Sequence, residues 1–374
     1  MKQLVLLGGG HAHVHVLKTL ITQPLHDVEV TLITPYARQV YSGMLPGWVA
    51  GHYDIEECVI PLAPLAAAAG VRFVQSAATG IASDTGHVEC DNGERIGFDV
   101  LSIDSGSVAS VAGIPGARDY ATAIRPIERF IDVITTLKSH MSMHRGAAIR
   151  ITVVGAGAGG VEVALALQFA GRRDGGSGPA CAVTLVSAAN TLPGSVGPRI
   201  ERALDAAGVT LLSGVAATSI DQHVVTLANG TAVAADEVIV ALGAAAAAWP
   251  SQSGLACDAQ GYIVTNRYLQ SISHPSVFAA GDCATMRDFH RPKSGVYAVR
   301  AGPPLAANLR RALNEEPLAP YAPQTRSLYL ISTGRQHAIG SWGPLSWEGA
   351  WVWRWKDRID RAFMAKYRVP GKPV

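Results

Sequence analysis

The sequence predicts an α/β fold of two parallel-sheet units, the second inserted in the first, followed by a C-terminal extension. Three observations predict it. Two glycine-rich turns, at residues 8–10 and 155–160, each join an apolar run to a helix-like stretch. Each is followed by a turn-rich region and then by a second apolar run ending in small residues. The first unit alone has a further apolar run, at residues 277–280, so its chain resumes after the second unit is complete. With 374 residues, 48% hydrophobic and 16% charged, the chain is a packed globular protein long enough for two cores. A net charge of +2 gives no electrostatic reason for a nucleic-acid partner.

Residues 3–7 read as a buried strand, because an unbroken apolar run suits a parallel strand covered on both faces. Gly8, Gly9 and Gly10 follow, with His11, Ala12 and His13, then a helix over 14–21 and a second strand over 28–33. Such a unit turns the free N–H groups of a helix start toward the glycines, where a diphosphate can approach the backbone. His13 stands where the third motif glycine is expected, and Thr34 where an acid would meet a ribose hydroxyl. At the second turn Gly155, Gly157 and Gly160 complete the G-x-G-x-x-G pattern. They lie between a strand at 149–154 and a helix at 161–169 that carries Glu162 in its first turn. Ser187 follows the strand at 182–186, where an acid would mark NAD, and no arginine cluster marks NADP. Both units therefore read as Rossmann-like dinucleotide-binding domains.

Returning strands are expected at 98–107 and 236–244, after hairpin-rich stretches around Gly86 and His223. The extra strand at 274–283 ends in Gly281 and Asp282. An aspartate at the carboxyl end of a parallel strand can accept a hydrogen bond from a ribityl hydroxyl; the alternative is a solvated turn residue. The expected division is 1–112 with 257–322 for the first domain, 113–256 for the second and 323–374 for the extension.

Five cysteines, Cys58, Cys90, Cys181, Cys257 and Cys283, form no C-x-x-C or other close pair. Reduced thiols of a cytoplasmic protein are expected, with neither a zinc site nor a disulfide framework. The chain opens on a strand and not on a signal-peptide pattern. The most apolar run, 238–249, is too short to span a bilayer and is interrupted by Gly243. His11, His13 and His15 alternate, whereas helical metal ligands come three or four apart, so no metal is expected. Residues 172–179 read as a surface loop and 244–248 as close packing.

Trp347, Trp351, Trp353, Trp355, Phe363 and Tyr367 crowd the extension, with Arg354, Lys356, Arg358, Arg361, Lys366 and Arg368 among them. Trp351, Trp355, Ile359 and Phe363 recur every four residues, which predicts one helical face. Tryptophan with cations suits a membrane surface. The same face could equally pack on the protein's own core or on a homodimer partner.

The chain resembles the flavin-dependent pyridine nucleotide–disulfide oxidoreductase superfamily, and within it the type II NADH dehydrogenase-like and sulfide:quinone oxidoreductase-like branch. The resemblance is carried by residues 8–13, by Tyr41-Ser42-Gly43-Met44-Leu45-Pro46-Gly47, and by residues 155–160, 278–282 and 291–300. It implies FAD, with Gly8, Gly10, Ala12 and His13 at the diphosphate and Thr34, Pro35 and Arg38 near the adenosine. Ser105 and Gly106 would close over the cofactor, and Asp282 would hold the ribityl chain. Gly295 and Val296 would begin a helix at the pyrimidine edge, where a helix start favours negative charge on the reduced ring. Lys293 would add to that field, or be a plain surface lysine. The resemblance also implies NAD(P)H on the second turn, near Gly155, Gly157, Gly160, Glu162, Ser187 and Gly243. The donor and acceptor would be small molecules, the acceptor a quinone or similar, at a protein peripheral to the inner face of a membrane. Two departures stand out. No redox cysteine pair lies close in sequence, though distant cysteines could meet in space, and Val299, Arg300 and Ala301 stand where a glutamine-rich quinone signature would lie. A sulfur- or selenium-linked flavin oxidoreductase is the second reading, and a nucleotide-binding flavoprotein without turnover the third.

Overall fold

The computed structural model describes residues 1–82, 85–143, 147–172, 180–189 and 196–368. Its first strand, β1 (Lys2–Leu7), carries Leu4, Val5, Leu6 and Leu7 fully into the core. The chain turns at Gly8, where φ is +96° and any side chain would strike the backbone of Asp104. Helix α1 (His11–Thr22) starts at once and buries Ala12, Val14, Val16, Leu17 and Leu20. Strand β2 (Val28–Thr34) then lies parallel to β1, with Leu4 opposite Val30. A short buried helix, α2 (Leu45–Val49), precedes β3 (Arg72–Gln75), which extends the sheet beyond β2. After a three-stranded antiparallel unit (Ala78–Ala82, His87–Cys90, Arg95–Gly97), β4 (Val100–Ile103) pairs with the other side of β1.

The chain then builds a second parallel sheet. Its elements are β5 (Thr122–Ala123), α3 (Ile127–Met143), β6 (Ile149–Val154), α4 (Ala158–Ala170), β7 (Cys181–Val186), β8 (Thr210–Leu212) and β9 (Glu237–Val240). The strand order is β5-β9-β6-β7-β8. A second antiparallel unit, Ala217–Asp221 with Val224–Leu227 and Ala232–Ala234, sits before β9. Strand β10 (Val277–Ala279) returns to the first sheet beside β4, giving the order β10-β4-β1-β2-β3. The two links between the sheets pair with each other, Val108 opposite Ala245 and Ala109 opposite Ala244, which accounts for part of the alanine run. Both expected hairpin regions are present, and the expected loop at 172–179 lies beyond Arg172 outside the described residues.

In each sheet the strand order reverses beside the first strand, and ligands of such sheets bind in the crevice beyond the strand ends at that point. Helix α5 (Gly295–Leu313) packs closely on α1, where a side chain at Gly302 would strike His15, and its Ala298 lies beside Gly281.

The extension is a three-stranded antiparallel meander, β11 (Leu328–Thr333), β12 (Arg335–Trp342) and β13 (Leu345–Gly349), followed by α6 (Ala350–Ala365). The predicted four-residue face divides. Trp351, Trp355 and Ile359 are 52%, 38% and 39% exposed, whereas Phe363 is buried. Four residues of α-helix turn about 40° past a full circle, so over three such steps the stripe drifts by about 120° and Phe363 rotates inward.

Candidate cofactor site

Gly10 is the N-cap of α1 and offers no side-chain cap. The helix start is met instead by Asp104, which follows β4. Ala12 N–H and His13 N–H donate to its Oδ2 at 2.8 and 3.1 Å. Side chains at Gly10 or Gly281 would run into the Asp104 carboxyl, so this group stands between the first glycine turn and the turn after β10. Asp104 is 2% exposed. Burial, with the neighbouring Asp282 charge adding, raises its pKa to about 7 against the lowering pull of the two N–H groups.

His13 Nδ1 bonds the Gly8 carbonyl at 2.6 Å and its Nε2 the Ser102 hydroxyl at 2.8 Å, fully buried. A carbonyl only accepts, so Nδ1 carries the proton and Nε2 accepts from Ser102. Burial lowers its pKa to about 4, against the raising effect of the Gly8 bond. The ring is thus a neutral brace between α1 and β4, filling the space that a third glycine would have closed. Its ring nitrogens and its N–H are all engaged within the protein.

Asp282 sits in the turn Gly281–Cys283 that follows β10, and its Oδ2 lies 3.2 Å from Arg125 Nη2. Arg125 also donates to Ser107 Oγ at 2.6 Å, tying this turn to the loop of Ser105 and Gly106. Gly106 has φ +75° and nothing within 4 Å of where a side chain would begin. Gly295 opens α5 beside the Ser42 hydroxyl, with Val296 in its first turn. Lys293 is no plain surface lysine. Its Nζ donates to the Ala284 carbonyl and stands 3.9 Å from the Tyr262 ring centre, and burial lowers its pKa. At the far end Thr34 is buried and accepts from Tyr36 N–H at 3.4 Å, next to the exposed Pro35. Arg38 is held by Glu128 of α3 at 2.7 Å.

At the second turn Gly155 has φ +111° against the Ala241 carbonyl, and Gly160 lies against the Gly155 carbonyl. Gly157, the N-cap of α4, and Gly243 have nothing within 4 Å of a would-be side chain. Ser187 is buried just after β7. Glu162 is tied to the extension. Its carboxylate accepts from Ser332 N–H of the extension at 2.8 Å, and burial raises its pKa to about 7 while Lys356 opposes the rise. Five residues beyond the N-cap, it has turned onto the face of α4 that meets the meander.

Two groups of residues escaped the sequence reading. One is Asp104, whose only signal is an acid directly after an apolar strand. The other comes from α6. Lys356 Nζ donates to the Gly43 carbonyl and to Asp360 Oδ2, the latter at 2.6 Å, and Tyr41 Oη donates to Asp360 Oδ1 at 3.0 Å. Phe363 stacks on Tyr41 at 4.3 Å between ring centres, and the His11 ring lies 5.9 Å from Tyr41. An i,i+4 lysine–aspartate pair inside a tryptophan-rich helix was its signal, read instead as a solvated cation among others. His11 Nε2 is buried without a partner among the described residues.

These features suit a dinucleotide that carries a flavin. Side chains are excluded at Gly8, Gly10 and Gly281, Asp282 stands at a strand end, α5 begins without a side-chain cap, and a buried ring nitrogen lacks a partner. The family model for pyridine nucleotide-disulphide oxidoreductases matches residues 2–302. The chain belongs to that family. Among its relatives, an NADH dehydrogenase-like protein of Mycobacterium tuberculosis (strain CDC 1551) is 31% identical over 247 residues, 63% of this chain and 60% of that protein. The match thus spans less than two thirds of that relative. Demethylphylloquinone reductase of Synechocystis is 27% identical over 352 residues, covering 89% of this chain and 85% of the relative. The sulfide:quinone oxidoreductase structure from Aquifex aeolicus shares the fold, with a TM-score of 0.81 at 20% identity over 98% of this chain and 92% of that one. The five cysteines of the present chain form no disulfide, and the buried Cys283 thiol is pushed up to about 12, far from thiolate reactivity at neutral pH.

Proposed function

We propose that this protein oxidises NAD(P)H and passes the electrons to a quinone or a similar acceptor. FAD, when bound, supplies the electron-transfer chemistry. Gly8, Gly10, Ala12, Asp282, Gly295 and Val296 would hold it, with Ser105 and Gly106 closing over it and Thr34, Pro35 and Arg38 at the adenosine. Gly155, Gly157, Gly160, Ser187 and Gly243 would hold the nicotinamide nucleotide. One observation carries the reading. Two glycine-lined crevices in one chain each end at an uncapped helix start, which suits two dinucleotides brought together.

The acceptor is supported by the similarity to the demethylphylloquinone reductase of Synechocystis and by the outer face of α6. Trp351, Trp355 and Ile359, like Trp342 and Leu345 of the two preceding strands, are exposed, and the exposed Arg354 and Arg358 accompany them. Such a face suits a lipid surface, where a quinone dissolves. Among the described residues no helix is long and apolar enough to cross a membrane, so contact would be peripheral.

The test is anaerobic titration of the purified protein with NADH, NADPH and sulfide in turn, followed by visible absorbance. Bleaching by a nicotinamide nucleotide and recovery on adding a short-chain quinone is the expected result. Bleaching by sulfide alone would overturn it in favour of the sulfur-linked reading, and no bleaching by either nucleotide in favour of binding without turnover.

A further inference from the structure

Asp104 is a buried acid at the mouth of the cofactor crevice that the proposed function leaves without a task. It accepts from the second and third N–H groups of α1, the donors with which a helix start holds an anion. Gly10 on one side and Gly281 on the other lack side chains where its carboxyl stands, so it is confined between the two turns that border the crevice. We propose that Asp104 is itself a ligand of the FAD diphosphate and binds it as a neutral carboxylic acid, so that loading the cofactor takes up a proton.

Charge decides the protonation state. The groups facing Asp104 come from two elements. From α1 come His11 and His13, both held neutral by burial. From the turn after β10 come the Asp282 carboxylate and the buried Cys283 thiol. Lys293 is turned toward Tyr262 and the Ala284 carbonyl, and Arg125 is engaged by Asp282. No hydrogen bond or ion pair among the described residues brings a cation onto Asp104. A diphosphate arriving here adds negative charge to a site that already holds one carboxylate pair in a poorly solvated space, and like charges favour protonation. A neutral carboxyl resolves the conflict. One oxygen goes on accepting from Ala12 and His13, while the other donates its O–H to a phosphate oxygen. The proton comes from solvent, and no other bond is made or broken. Burial has already brought the free group to about 7, so the uptake falls in the neutral range.

The inference rests on FAD occupying this crevice, and the experiment separates the two. Full-length protein freed of flavin is titrated with FAD between pH 6 and 9, read by quenching of flavin fluorescence. The wild-type dissociation constant is expected to rise above pH 7 by up to about tenfold per pH unit, the limit for one linked proton. Asp104→Asn keeps an accepting oxygen and a donor without the charge, and its constant is expected to stay flat. Calorimetric titration of the wild type at pH 8, in two buffers of different ionisation heat, is expected to show uptake of up to about one proton, and it decides the matter should the variant not fold. A wild-type constant that stays flat, or an equal slope in Asp104→Asn, or no proton uptake, overturns the role of Asp104 and leaves the FAD reading intact. Failure to bind FAD at any pH overturns both.

Discussion

At Gly281 the backbone has φ +72°, and a side chain would collide with Asp104. Gly281→Ala therefore combines left-handed strain with displacement of a buried carboxyl, and is expected to cost about 1–3 kcal/mol of stability and to lower flavin retention. Thermal denaturation and the flavin-to-protein absorbance ratio measure the two effects, and a variant that matches the wild type in both would show that the turn can relax. Lys356 presents a different case, because it and Asp360 are both buried. Lys356→Met leaves Asp360 with a hydroxyl partner but no cation, and a loss of about 3–5 kcal/mol is expected. Lys356→Met with Asp360→Leu should recover much of it, and a cycle with no recovery would show that the pair is not coupled. The glycines were legible because backbone geometry restricts residue type. His13, Asp104 and Lys356 were not, because their partners Ser102, Ala12 and Gly43 lie far along the chain in at least one direction of each contact. A sequence reveals that a residue can ionise, but its burial and partners belong to the fold.

Among the elements, parallel strands were read from apolar runs, since strands covered on both faces need no alternation. The run at 98–107 holds only four residues of strand, Val100–Ile103, because the small residues beyond leave the sheet for the crevice. The meander at β11–β13 escaped notice, its burial pattern showing no strict alternation. Helix α6 was legible as a helix, but the drift of its stripe hid which residues face inward. That drift separates two functions on one element: Lys356, Asp360 and Phe363 serve the interior, while Trp351, Trp355 and Ile359 face out. Replacing the three outward residues by serine is expected to lower binding to anionic lipid vesicles by about tenfold or more, given the interfacial character of tryptophan. Nicotinamide-dependent bleaching of the flavin should be unchanged. Vesicle co-sedimentation is the measurement, and wild-type protein that stays in the supernatant would remove the membrane reading altogether.

For the molecule as a whole, the repeated order of glycine turn, antiparallel unit and returning strand made the inserted arrangement legible, whereas the return of the extension into the site was not. Glu162 of α4 meets Ser332 of the meander, and α6 reaches Gly43, so groups from distant segments share one buried electrostatic environment. Its linkage to pH follows from opposite shifts. Asp104 and Glu162 are raised to about 7, so folding binds protons that the unfolded chain has released. Their contribution is complete below the unfolded carboxylate range, about pH 4, and is lost as pH rises through 7. His11 and His13 are lowered to about 4, so the unfolded chain binds protons that the folded one refuses. Their contribution is present above about pH 6.5 and is lost as pH falls toward 4. Between about pH 4.5 and 6.5 the two pairs oppose each other, and flavin-free protein should have a thermal midpoint nearly independent of pH there. Asp104→Asn with Glu162→Gln removes only the carboxylic half. Stability of the double variant should then climb with pH across that window, by up to about 1.4 kcal/mol per pH unit for each histidine proton. Thermal midpoints that run parallel in the two proteins would mean that these four buried groups do not govern the balance.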